Sequence, residues 1–182
     1  MPSERYERRP RGCWKDVVFV RNPDGSERIE HEYQDWRSNL IVIHTPTVIA
    51  AALAGYSPWS GISFSAQGSG DVAWDTSTAS PAYDATALQA EFFRMPVSAI
   101  DFRDDSDVHS DTPTNNLMIK TILGYADANG PGGTGAYIRE QGLFGGSATA
   151  TAGSGQMMNW IIHPAIWKDN QKKIVRYIRW TF

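Results

Sequence analysis

Glu91 and Glu140 are the only glutamates that follow Glu32 in this 182-residue chain, and each stands in an otherwise apolar run. Two such carboxylates could cleave a glycosidic bond if the fold held them ~5–10 Å apart across a groove, one as acid and the other as base or nucleophile. The competing reading is structural, each acid being neutralised by an arginine, with Arg94 three residues beyond Glu91. Arg139 and Glu140 adjoin in YIREQGLFGG, residues 137–146. Adjacent strand residues point to opposite faces, so in a regular strand these two are not each other's partner. A carboxylate removed from water needs compensation. Glu140 is therefore expected to meet Arg94, Arg176 or backbone N–H groups of the glycine turn. Gly142, Gly145 and Gly146 are expected to bend the chain sharply there, with Leu143 and Phe144 pinning the bend into the core.

Other chemistries find less in the sequence. His31, His44, His109 and His163 are scattered, with no pair at i, i+4 and no neighbouring cysteine. A zinc site would have to arise wholly from tertiary approach. His109 lies in DDSDVHSD with Asp104, Asp105, Asp107 and Asp111, oxygen donors suited to calcium, but the loop lacks the central glycine and closing glutamate of an EF-hand. It reads as a solvated acidic loop. Ser69 and Ser154 each sit in GSG without the G-x-S-x-G elbow of a nucleophile. The glycines at 68, 70, 130, 132, 133 and 135 form neither a phosphate loop nor a dinucleotide fingerprint. The reading is of a non-enzyme, with no catalytic residue, cofactor or metal.

The whole chain sets the same bounds. Its length suits one domain of ~100–200 residues. With 41% hydrophobic residues, including seven each of Trp, Tyr and Phe, it has the apolar surface for a core. A net charge of -3 argues against a nucleic-acid partner. Cys13 is the single cysteine, which excludes an intrachain disulfide. No stretch approaches the ~20 apolar residues that cross a bilayer, and the charged first residues are unlike a signal peptide, so assembly in the cytoplasm is expected.

The elements that must position these residues read mainly as strands. Residues 1–12, with Arg5, Arg8, Arg9 and Arg11 and no apolar periodicity, are expected to form an extended arm able to order against a neighbouring subunit. Residues 13–182 form one β-rich domain, beginning with a hairpin at 13–36 that turns at Asn22-Pro23-Asp24-Gly25. In its second strand Ile29, His31 and Tyr33 alternate with charged residues, the pattern of a half-buried strand. Thr45-Pro46 predicts a helix over about 45–54, capped by Thr45 and closed by Gly55. Residues 68–86 read as a long turn-rich excursion anchored by Trp74 and Tyr83. Further strands are expected in 61–67, 88–102, 117–123, 136–144, 157–166 and 173–182, with a break near Met95-Pro96. The sum is an antiparallel β-sandwich or barrel-like domain with one helical insertion and long loops, residues 37–182 forming its body.

The blocks NLIVIHTPTVIAAALAG, ISFSAQGSGD, TALQAEFFR, YIREQGLFGG and NWIIHPAIWKDNQKKIVRYIRW, taken in order, resemble those of small tailed-bacteriophage tail proteins associated with fibres and baseplates. The resemblance covers about 39–182 and is carried most specifically by IREQGLF. It implies a virion structural protein of the tail, a baseplate or tail-fibre attachment component. Its partners would be other phage tail or baseplate proteins and copies of itself, as a trimer or ring. A capsid decoration or head-to-tail connector protein would share this design. A carbohydrate-binding adhesin would instead use exposed aromatics such as Trp59 or Trp74, and a depolymerase would use Glu91 or Glu140.

Overall fold

A computed structural model describes residues 10–77 and 79–182. Of the expected arm at 1–12, residues 1–9, with Arg8 and Arg9, lie outside the described residues, and Arg11 and Gly12 belong to the first strand. The strands are β1 (Arg11–Arg21), β2 (Glu27–Glu32), β3 (Arg37–Ile41), β4 (Ser60–Gly68), β5 (Glu91–Pro96), β6 (Ala99–Arg103), β7 (His109–Ser110), β8 (Asn116–Leu123), β9 (Ala136–Gly146), β10 (Gln156–Lys168) and β11 (Lys172–Thr181). One α-helix, α1 (Thr45–Leu53), follows β3, and a short 3-10 turn spans Val72–Asp75. All the strand pairings are antiparallel, in the order β5-β4-β9-β10-β3-β1-β11-β8-β6-β7, with β2 added on β1. The chain is mainly β, as its alternating segments predict.

The sheet closes over itself about β3. That strand pairs with Gly12–Trp14 of β1 on one side and with Asn159 and Trp160 of β10 on the other. Strands far apart in the order therefore meet: Trp14, Ile119, Ile178 and Trp180 pack on Leu143, Met158 and Ile161, together with Val48 of α1. A second cluster joins Ala66, Phe144, Met157 and Trp160 to Val42, Trp74 and Leu88, so the excursion between β4 and β5 contributes its own layer of core. Consecutive residues Leu143 and Phe144 thus serve different clusters, as strand alternation requires.

Several expectations are corrected. All six residues of β2 are exposed, Ile29 at 53%, because this strand pairs only with the second half of β1 and, among the described residues, no element packs on either face. Tyr33, just past the strand, does pack on the core. Thr45 is the first helical residue and His44 the N-cap; the Thr45 hydroxyl donates to Met158 O at 2.6 Å, tying the helix to β10 instead of capping it. Gly55, at φ 64, closes the helix as its position suggests. No sharp bend occurs at 142–146, since β9 runs unbroken from Ala136 to Gly146. Gly142 provides space instead: a Cβ there would lie 2.7 Å from Phe144 Cε2 and 3.1 Å from Leu88 Cδ2. Tyr83 is 40% exposed and contributes its carbonyl, which accepts the Ile43 N–H at 2.9 Å, whereas Trp74 is buried.

Candidate functional site

Glu140 is fully buried in β9 and has no arginine partner among the described residues. Its Oε1 accepts the Ala90 N–H at 2.7 Å, and its Oε2 accepts the Gln89 N–H and the Trp160 indole N–H, both at 3.0 Å. Three donors thus replace the water that the carboxylate gave up, and charge-assisted bonds of this kind are about twice as strong as neutral ones. The expected partners, Arg94, Arg176 and the glycine-turn amides, bind elsewhere. Gly68, on the paired strand β4, makes room for this cage: a Cβ on it would come within 2.2 Å of Oε1.

Arg139 is equally committed. Its Nε and Nη2 grip Asp75 Oδ1 and Oδ2 at 3.0 and 2.8 Å, and its Nη1 donates to Ser69 O at 3.2 Å. Asp75 Oδ1 also accepts the Ala165 N–H at 2.8 Å. The hydrogen bond from Arg139 is the main reason that the Asp75 carboxyl sits below the usual carboxylate range. Both members of the Arg139-Glu140 pair therefore engage the same excursion, contrary to simple alternation. Beside them β10 bulges, setting three residues, His163, Pro164 and Ala165, against Arg139 alone. One dipeptide holds both ends of the excursion, Ser69 and Asp75 through the guanidinium, Gln89 and Ala90 through the carboxylate.

Glu91 pairs with Arg94, which grips it through two bonds of 2.7 and 2.8 Å. Arg94 Nη1 donates to Ser154 O at 2.7 Å, and its guanidinium lies 4.0 Å from the Phe144 ring centroid. The pair fastens β5 to the 147–155 loop. The carboxylate oxygens of both glutamates are thus bonded within the fold.

A polar cluster between the two halves of the sheet escapes sequence reading. Asp16 of β1 and Arg176 of β11 form a buried pair, with Nε and Nη2 donating at 2.6 and 2.5 Å. Arg176 Nη1 donates to Gln141 Oε1 at 2.6 Å, and Gln141 Nε2 donates to Ser65 Oγ at 2.6 Å. His163 is buried against them. Its Nδ1 lies 2.8 Å from Pro164 O, so it carries the proton and donates, which leaves Nε2 to accept from Arg176 Nη2 at 3.0 Å. Burial first, and Arg176 second, push the His163 pKa well below its ordinary value. The cluster joins β1, β4, β9, β10 and β11; Gln67 Nε2 also donates to Ser65 Oγ at 3.1 Å, while Gln67 Oε1 is buried without a partner among the described residues.

His109 contacts Asp111 at 3.1 Å on the surface, and Asp104 Oδ1 accepts the Ser106 and Val108 N–H groups of its own loop. Among the described residues no group of three or more His, Cys, Asp or Glu could hold a metal ion. Trp74 packs edge-on to Trp160, with ring centroids 6.4 Å apart, and Trp59 packs against the core. Around α1, Ile49, Leu53, Ile62, Ile100, Trp180 and Phe182 line an open apolar groove of about 310 Å³. Leu53 is 85% exposed there. Comparison with protein-family models, curated proteins and solved structures finds no match to this chain.

Proposed function

We propose that this chain is a non-enzymatic virion structural protein of a tailed phage, a baseplate or tail-fibre attachment component that works by assembly with tail proteins and with copies of itself. The observation that carries the non-enzymatic part is the state of the buried charges. Glu140, Arg139, Glu91, Arg94, Asp16 and Arg176, the groups best suited to chemistry, are all consumed by bonds within the fold. An acid or base needs a lone pair or proton that faces a substrate. The exposed apolar side chains around α1 support assembly, because large apolar patches mark contacts with other molecules. The sequence blocks from 39 to 182 supply the tail assignment.

The test is a reconstruction of purified tailed particles that contain this chain, together with an activity screen of the isolated protein on host polysaccharide. Density for the chain at the baseplate or fibre base is the expected result. Density on the capsid or at the head-to-tail junction moves the assignment to a decoration or connector protein. Release of reducing ends from a polysaccharide, lost in Glu140→Gln, overturns the non-enzymatic reading.

A further inference from the structure

Lys168, the last residue of β10, is fully buried, yet among the described residues no carboxylate forms an ion pair with it. Its Nζ donates to Asn129 Oδ1 at 2.8 Å and to Asp169 O at 2.9 Å. Asn129 belongs to the connection between β8 and β9, 39 residues away in sequence. Its Nδ2 donates to Tyr125 O at 2.8 Å, so both ends of the carboxamide are fixed and its carbonyl is held toward the amine. The backbone reinforces this placement: Gly135 N donates to Asn129 O at 2.7 Å, and buried Ala128 is held at φ 52, a conformation that residues with side chains rarely adopt.

We propose that Lys168 and Asn129 become covalently joined, the Nζ of Lys168 replacing the carboxamide nitrogen of Asn129 in an intramolecular amide bond. The Nζ lone pair adds to Asn129 Cγ and forms the new C–N bond. The Cγ–Nδ2 bond breaks, and Nδ2 leaves as ammonia carrying one proton that began on Nζ. That proton passes from Nζ to Nδ2 within the tetrahedral adduct, so the step needs no separate acid or base. Atoms and electrons balance without an oxidant, reductant or co-reactant. Asn129 also lines an open cleft of about 380 Å³ with Phe92, Phe93 and Gly130, through which ammonia can depart.

Three physical effects favour the step. An amine held by a hydrogen bond on the oxygen of the carboxamide it attacks has much of its orientational entropy already lost. Burial lowers the Lys168 pKa to about 8, so that roughly a tenth of the chains carry the neutral, nucleophilic amine at pH 7. A buried ammonium without a carboxylate partner is also costly, and amide formation abolishes that charge. The proposal stands apart from the assembly reading, since it concerns the chain's own chemistry.

The test is intact-mass measurement of the purified full-length chain, followed by peptide mapping. The expected result is a mass lower than that of the sequence by one ammonia, with a branched peptide joining Lys168 to Asn129. Asn129 precedes Gly130, so a backbone succinimide would lose the same mass; Lys168→Arg separates the two. Full mass in Lys168→Arg supports the cross-link, whereas a loss that persists in that variant overturns it. A wild-type chain that keeps its full mass after incubation above pH 8 overturns it too, and this measurement needs no variant to fold.

Discussion

Replacing Glu140 by alanine removes the acceptor of three N–H groups in a place that water does not reach. Each stranded donor costs about 1–3 kcal/mol, and the three are not additive because they share one carboxylate. A total of about 3–5 kcal/mol is expected, near the upper end of single substitutions. For a chain of this size that corresponds to roughly 6–20 °C in melting temperature, at ~2–4 °C per kcal/mol. Thermal unfolding by circular dichroism reads the total, and hydrogen exchange reads its origin. The amides of Gln89 and Ala90 should lose protection while those of β8 and β11 keep theirs. Gly68→Ala attacks the same cage from beneath, since its new Cβ would overlap Oε1, and should expose the same two amides. A Glu140→Ala protein melting within 2 °C of the parent at ~2–4 °C per kcal/mol, with Gln89 and Ala90 still protected, would refute the cage as the reason for this acid.

Two further outcomes follow from the inter-sheet cluster. Asp16→Ala leaves Arg176 buried without its carboxylate and should cost about 3–5 kcal/mol in urea unfolding; a cost below ~1 kcal/mol would mean that Gln141 and His163 suffice to hold the guanidinium. His163 is neutral in the fold and has a depressed pKa, so the unfolded chain binds more protons in acid. Stability should therefore be fully present above the ordinary histidine value of 6.5 and decline as pH falls below it. The groups facing this ring are Arg176, with Asp16 behind it, and at longer range Arg37 and Arg139. Melting curves between pH 8 and pH 5 should slope downward toward acid, and His163→Gln should flatten that slope if the ring is its source.

The features legible in the sequence are those written in local pattern. The turn at residues 22–25, the proline and glycine that bracket α1, and the alternation in β8 and β11 each depend on neighbours within a few positions. The alternation of β2 was equally clear, but periodicity reports that two faces differ and not that either is covered. The partners of the charged residues were not legible, because they are set by folding over long separations. Asp16 meets Arg176 across 160 positions, and Glu140 meets two backbone amides 50 and 51 positions away. Backbone donors have no residue type, so no scan for arginines could have found them. Arg139 and Glu140 also lie beside a bulge in the neighbouring strand, which nothing in YIREQGLFGG encodes.

The excursion from 69 to 90 is fastened near both of its ends by two consecutive side chains of a single strand. Between these clamps it is held by core contacts of Trp74, Ala79, Ala85 and Leu88 and by the Tyr83 carbonyl. Lengthening a closed loop costs little, about 0.6 kcal/mol per doubling. Residues 80–82, between core-packed Ala79 and the Tyr83 carbonyl that accepts the Ile43 N–H, are thus the place where surface character can be rewritten over evolutionary time, or a foreign epitope inserted, without disturbing the scaffold that carries it.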